Sequence, residues 1–297
     1  ASKSSTVPAV SERSLSALGI PVLFPRNAAE IVTMGLHGVA LSRASGCLVA
    51  LKIVADVADG AWSVDGSISD LPITVPEIEW EGRPFVYKQR PMAAPGDSVI
   101  AEADLYGPRW KIVQEYGRLN GLDVIEVDPP QARVGLAATG TTFDALRQAL
   151  LDLGVDDAAL HRAGIRLLRI GMPYPIGPEI VREFARGLDE LIVVEDKTAF
   201  VETQIREILY GTANAPQIVG KKDADGRPLV PVDGELTAGR LRGPLRRVLR
   251  GHVELGPAPL PQLSLEALST QRTPYFCSGC PHNRSTALPE GSIGGGG

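Results

Sequence analysis

Two hydrophobic periods alternate along the second half of the chain. Short unbroken apolar runs are each followed by stretches in which apolar residues recur every three or four positions. Val134-Gly135-Leu136-Ala137-Ala138 is the first run, and Phe143, Leu146, Leu150 and Leu153 follow at helical spacing as far as Gly154. The pattern predicts a strand and then a helix that Thr142 can cap. Arg166 to Ile170 is the next strand. Pro178 suits the first position of a helix whose apolar face is Ile180, Val181 and Phe184, ending at Gly187. Leu191 to Val194 predicts a third strand, and Thr198 opens a helix carrying Val201, Ile205, Ile208 and Leu209 before Gly211. Strand–helix alternation with short connections implies right-handed crossovers and a parallel sheet.

Upstream the same logic is less regular. Gly19 to Phe24 predicts a short strand. Asn27 with Glu30 three residues later makes a capping-box-like start to a helix that carries Ile31, Met34, Val39 and Leu41 and stops at Gly46. Cys47 to Val54 is almost wholly apolar, the kind of strand a parallel sheet buries on both faces. Residues 62–95 read as extended or hairpin structure, and a helix is expected over Leu105 to Leu119. The loop from Lys221 to Glu235 precedes an Arg-rich helix, and Gly256 to Gln262 is a Pro-rich linker. The fold class is therefore α/β with parallel-sheet domains, divided at 1–128, 129–255 and 256–297. The opening segment has no strand–helix partner of its own, so further sequence is expected upstream.

Composition narrows the function classes. A length of 297 residues allows two domains with real cores, and 44% hydrophobic residues fit an ordinary soluble protein. A net charge of −5 argues against nucleic acid as a partner. The one basic run, Arg240 to Arg250, reads as a solvated helix face. Three cysteines are too few for a disulfide framework and fit a reducing cytoplasm. No signal peptide and no apolar run of about 20 residues is seen, so no membrane association is expected.

The chemistry concentrates in Tyr275-Phe276-Cys277-Ser278-Gly279-Cys280-Pro281-His282. Two thiols three residues apart can reach one metal or cluster from a single turn, with Gly279 supplying the turn. Thiolates select zinc, Cu(I) or iron–sulfur centres. Spacing alone leaves three readings open: half of a cluster site, a zinc knuckle lacking two ligands, or a redox dithiol. Pro274 and Pro281 argue against the last. His282 is read as a supporting residue rather than a ligand. Elsewhere, Gly294 to Gly297 can bring backbone N–H groups close to a diphosphate if a helix follows. Glu195 and Asp196 end a strand on the edge where open α/β sheets bind ligands, but read as capping acids. The turn Ala138-Thr139-Gly140-Thr141 lacks dinucleotide-site spacing. Ser4, Ser5 and Thr6 form a hydroxyl cluster in a loop. Cys47 reads as a buried small residue; His37, His161 and His252 as packed or solvated; Trp62, Trp80 and Trp110 as core.

Several segments together carry a resemblance. SSTVPAVSE (Ser4 to Glu12), GLHGVALSRASG (Gly35 to Gly46), the stretch Arg169 to Lys197, the segment Gly220 to Leu241 and FCSGCPHNRST with its glycine-rich sequel resemble, in this order, the 2-oxoacid:ferredoxin oxidoreductases, and among them the long bacterial indolepyruvate type. The resemblance implies a middle portion of such an enzyme: the later part of a pyrimidine-type domain, a transketolase carboxy-terminal-like domain, and the start of a thiamine diphosphate-binding domain. It implies thiamine diphosphate, Mg²⁺ and a [4Fe–4S] cluster as cofactors, with Cys277 and Cys280 as cluster ligands. Gly294, Gly295, Gly296 and Gly297 would lie near the diphosphate, and Ser4, Ser5 and Thr6 near the substrate. A 2-oxoacid, coenzyme A and ferredoxin would be the reaction partners, in a homo-oligomer. The glutamate that activates thiamine is expected upstream of Ala1 and the Mg²⁺-binding motif downstream of Gly297, so this stretch alone is expected to be inactive. The alternative is a non-catalytic α/β interaction module ending in a zinc-binding CxxC.

Overall fold

Five strands make the main sheet: β5 (Asp123–Val127), β6 (Val134–Thr139), β7 (Ile165–Ile170), β8 (Glu190–Val194) and β9 (Gln217–Val219), in the order β5-β7-β6-β8-β9. β6, β7, β8 and β9 run parallel, and β5 pairs antiparallel with β7 at one edge. In register, Leu136 lies beside Leu167 and Ile192. This computed structural model describes residues 10–64, 71–91, 94–257 and 276–292. Ala1–Gly256 form one unit and Pro257–Gly297 a second.

The sheet's two faces account for the unbroken apolar strands. Leu136, Ala138, Ile192 and Val194 point to one face, where they meet Phe143, Leu146 and Leu150 of α6 (Gly140–Asp152), Leu160 of α7 (Asp157–Ala163) and Leu241 and Leu245 of α10 (Ala238–Val248). Ala137, Leu168, Leu191 and Val193 point to the other, against Val181 and Phe184 of α8 (Pro178–Ala185) and Val201 and Ile205 of α9 (Val201–Leu209). With helices on both faces no strand residue needs to be polar. Each fully buried Leu or Phe contributes about 1.5–3 kcal/mol.

The predicted elements of this region are present with adjustments. α6 begins one turn earlier than expected: Thr139 stands at its N-cap, and Thr142 lies inside the first turn. α9 begins at Val201 rather than Thr198, because Glu195 supplies its acceptor. β5, β9 and α7 are further elements. Asp156 caps α7 by accepting the N–H of Ala159 at 2.8 Å.

The first part of the chain is built around a long helix, with the short helices α1 (Ser11–Ala17) and α3 (Ala55–Ala58) before and after it. Asn27 caps α2 (Ala28–Ser45) by accepting the Glu30 N–H at 3.0 Å, and Gly46 closes it with φ of 70°, as the sequence pattern predicts. The two flanking strands are shorter than predicted: β1 (Val22–Leu23) and β2 (Ala50–Leu51) form a two-stranded parallel ladder. The apolar run Cys47 to Val54 is not buried throughout, and Leu48 is 74% exposed. Residues 62–95 contain the expected hairpin, β3 (Ile78–Trp80) with β4 (Arg83–Phe85). The helix expected from Leu105 is in two pieces, α4 (Asp97–Asp104) and α5 (Trp110–Leu119), joined through a π turn that contains Gly107 and Pro108. Pro108 has no N–H for the helical ladder, which explains the break.

β1 is tied to the main sheet by its backbone. Val22 N–H donates to Tyr174 O at 2.7 Å and Phe24 N–H to Gly171 O at 2.8 Å. Cys47 is buried, as expected, and His37 is buried with Nδ1 2.9 Å from the Tyr116 hydroxyl. Burial pushes His37 down from its ordinary value and Tyr116 up to about 12. The tryptophans depart from expectation: Trp62 and Trp80 are 53% and 39% exposed, on irregular segments and a hairpin with little to cover them. Trp110 is half-buried, its ring 5.4 Å from that of Tyr174.

Candidate functional site

In an open parallel sheet the chain leaves a crevice where consecutive connections depart in opposite directions, and ligands commonly bind there. Here that point lies between the carboxyl ends of β6 and β8. Thr139, Gly140 and Thr142 approach it from one side, and Glu195, Asp196 and Lys197 from the other. The chain fills it with its own atoms. Thr142 Oγ1 donates to Asp196 Oδ2 at 2.9 Å, and Leu236 N–H donates to Asp196 Oδ1 at 3.3 Å. Lys197 Nζ donates to Gly234 O at 2.6 Å. Leu229 and Val230, in the loop expected from Lys221 to Glu235, and Leu236 just after it are buried against the sheet.

Glu195 serves the adjacent helix. Its carboxylate accepts the N–H groups of Phe200 at 3.0 Å, Val201 at 2.8 Å and Glu202 at 3.0 Å. These are donors that the first turn of α9 cannot satisfy internally. Burial still raises the Glu195 pKa, since desolvation outweighs the three bonds. Lys221 Nζ donates to Glu195 O and, at 3.1 Å, to Pro231 O. Burial brings Lys221 down to about 8, against the pull of Glu195, Asp196 and Glu202. Glu195 has the capping role expected of it, whereas Asp196 caps no helix and instead joins Thr142 to the loop at Leu236.

The CxxC turn belongs to the second unit. Cys280 N–H donates to Cys277 O at 3.0 Å across Gly279, whose φ is +80°. Asn283 Nδ2 donates to the same carbonyl at 3.0 Å. His282, at the start of α11 (His282–Ser285), brings Nδ1 within 3.2 Å of Cys280 Sγ, and its ring stacks on Phe276 with centroids 5.0 Å apart. Cys277 is exposed and Cys280 half-buried. Two thiols on one tight turn are the right donors for a soft centre, but among the described residues no group of three metal-binding side chains occurs. The turn thus fits half of a ligand set. Ser4, Ser5 and Thr6, and Gly294 to Gly297, lie outside the described residues.

Residues 125–254 match the family described as the indolepyruvate oxidoreductase domain. The match spans under half of the chain. It takes in all but the first two residues of β5, the rest of the main sheet and α10. The chain is 27% identical over 156 residues to the indolepyruvate oxidoreductase subunit IorA of Thermococcus kodakarensis, covering 52% of this chain and 22% of that protein. With IorA of Methanothermobacter marburgensis it shares 22% identity over 267 residues, 89% of this chain and 38% of the relative. The chain therefore spans well under half the length of these relatives. A solved 2-oxoglutarate:ferredoxin oxidoreductase from Magnetococcus marinus superposes on 77% of this chain and 42% of its own, with TM-score 0.45 and 12% identity.

Within this domain the sequence singles out Glu195 and Asp196, which the structure brings together with Thr142. It gives no sign of Lys221, nor of Asp123 just before the matched stretch, whose unusual environments depend on tertiary burial. Among the described residues, no helix is long and apolar enough to cross a membrane.

Proposed function

We propose that this chain is part of a thiamine diphosphate-dependent 2-oxoacid:ferredoxin oxidoreductase of the indolepyruvate type. Such an enzyme decarboxylates a 2-oxoacid oxidatively to an acyl-coenzyme A and passes electrons through iron–sulfur clusters to ferredoxin. The observation that carries this reading is the domain match over residues 125–254, with a CxxC turn following in the same chain. In this reading residues 1–128 are the later part of a pyrimidine-type domain and 129–255 a transketolase carboxy-terminal-like domain. Residues 256–297 are a linker and the beginning of the thiamine-binding domain. The assembly is a cytoplasmic homo-oligomer, and this stretch alone is inactive.

Thiamine diphosphate, held with Mg²⁺, supplies an electron sink for the decarboxylation. Gly294 to Gly297 would offer N–H groups to its diphosphate, and Ser4, Ser5 and Thr6 would face the substrate. Cys277 and Cys280 would hold two corners of a [4Fe–4S] cluster. His282 would tune it through its contact with Cys280 Sγ, because hydrogen bonds to ligand sulfur set cluster potential. The sheet domain holds α9 and the 221–236 loop rigidly, with Glu195, Asp196 and Lys221 as structural parts.

A second reading is a non-catalytic interaction module with zinc on the CxxC, which likewise needs ligands not found among the described residues. The two separate cleanly in the full reading frame, produced without oxygen. Brown protein holding iron and sulfide that reduces ferredoxin with indolepyruvate and coenzyme A supports the oxidoreductase. Colourless protein holding zinc and inert toward 2-oxoacids supports the module and overturns the first reading.

A further inference from the structure

A cavity of about 240 Å³ lies between α5 and the N-terminus of α8, lined by Lys111, Gln114, Gly117, Arg118, Asp123, Met172, Gly177 and Ile180 among others. Its wall is chiefly apolar. Met172 is fully buried and packs so close to Gly117 that a Cβ there would come within 2.6 Å of its Cε, while Gly177 leaves room that a methyl would fill. A predominantly apolar cleft with a few fixed polar groups is the usual form of a small-molecule site.

Asp123 is its distinctive group. Oδ1 accepts Gly171 N–H at 2.9 Å and Met172 N–H at 3.0 Å, so neutral backbone donors fix the carboxylate in place. Among the described residues it makes no ion pair. The cations of the wall are already engaged: Lys111 Nζ donates to Glu79 O at 3.1 Å, and Arg118 pairs with Glu115 and, at 3.5 Å, with Glu179. Two cationic side chains of the wall therefore face three carboxylates, and the half-buried Asp123 has no direct ion pair; Arg169 acts on it only from a distance and is itself paired with Glu126 and Glu30. A desolvated carboxylate in an apolar wall gains most from a ligand that brings its own cationic donor.

We propose that this cavity binds a small organic ammonium with an apolar body, such as an arylalkylamine, the ammonium on Asp123 and the body against Met172 and Ile180. The pocket would do so whether or not the thiamine reading holds.

The test uses the 297-residue chain labelled with ¹⁵N and three probes of one shape: 2-phenylethylamine, 2-phenylethanol and 3-phenylpropionate. The amine is expected to shift the Gly171, Met172 and Gly177 amides saturably, with the alcohol weaker and the carboxylate inert. Asp123→Asn keeps an acceptor for the two backbone N–H groups and is expected to weaken the amine about tenfold. Gly177→Ala provides a second variant that should fold, because Gly177 has φ −62° and the added methyl would lie 3.4 Å from Ile180 Cγ2 and 3.9 Å from Asp123 Oδ2. That methyl narrows the cavity, and binding should fall with the melting temperature unchanged. Absence of saturable shifts at these amides, equal binding of all three probes, or undiminished binding in the folded Gly177→Ala chain would each overturn the proposal.

Discussion

The Thr142 hydroxyl donates to the Asp196 carboxylate at 2.9 Å, joining the first turn of α6 to the end of β8 across 54 residues. With Leu236 N–H on the other oxygen, Asp196 has both its oxygens engaged in closing the crevice between β6 and β8. Asp196→Ala would orphan both donors. It is expected to cost about 2 kcal/mol in urea denaturation, and Thr142→Val about 1 kcal/mol. An Asp196→Ala chain as stable as the parent would show that the loop is held by its apolar residues alone.

Glu195 concentrates more bonds on one side chain. Three backbone N–H groups at the start of α9 depend on it. Glu195→Ala is expected to destabilise by about 3 kcal/mol, Glu195→Gln by less, since the amide oxygen still accepts. Hydrogen exchange provides the local check: the amides of Phe200, Val201 and Glu202 should lose protection before those of β8.

Gly140 tests the join between the first part of the chain and the sheet. Its φ is +47°, and a Cβ there would come within 2.6 Å of the Phe24 ring. Gly140→Ala combines left-handed strain with a clash against a buried aromatic, and about 3 kcal/mol of destabilisation is expected by thermal or urea melts. Retained stability would mean that Phe24 can move aside.

Burial holds the Asp123 carboxyl up at about 6, against an ordinary 3.8. The folded chain thus binds this proton more readily than the unfolded chain does. The contribution to stability is fully present below about pH 4 and is lost as pH rises through 6. The difference amounts to about 3 kcal/mol. Glu195 and Asp144 are shifted the same way by burial, so the informative quantity is the parent minus Asp123→Asn. That difference should favour the parent at pH 4 relative to pH 7 in urea melts, and a difference independent of pH would contradict the shift.

The CxxC turn predicts a metal phenotype. In the full reading frame, Cys277→Ser with Cys280→Ser should lower bound iron by one cluster's content, or remove the zinc under the second reading. The α/β unit should keep its melting temperature, since Cys277 and Cys280 lie outside it. Unchanged metal content would remove both thiols from the ligand set.

Much of the main sheet was legible because its strands are buried on both faces, so unbroken apolar runs and glycine stops mark them directly. β9 escaped because its three residues, Gln217 to Val219, make too short a run, and β5 because Asp123 and Glu126 interrupt its apolar positions. The Cys47 to Val54 run misled in the other direction. Its hydrophobicity suggested a long interior strand, yet only Ala50–Leu51 find ladder partners. At the candidate site, the CxxC is local in sequence and could be read outright. Lys221 could not, because the burial that depresses its pKa, against the pull of neighbouring carboxylates, is created by β8, α9 and the 231 loop.

The attachment of β1 to the main sheet runs through Val22 N–H on Tyr174 O and Phe24 N–H on Gly171 O. Main-chain atoms are common to every residue but proline at a donor position. A join of this kind specifies a path for the chain without specifying its letters. Mutational drift can rewrite the side chains at Val22 and Tyr174, provided the neighbouring packing adjusts, and β1 would still meet the segment after β7 at the same height. Random libraries at these two positions should therefore yield far more folded clones than libraries at Gly140, where the absence of a side chain is itself the requirement.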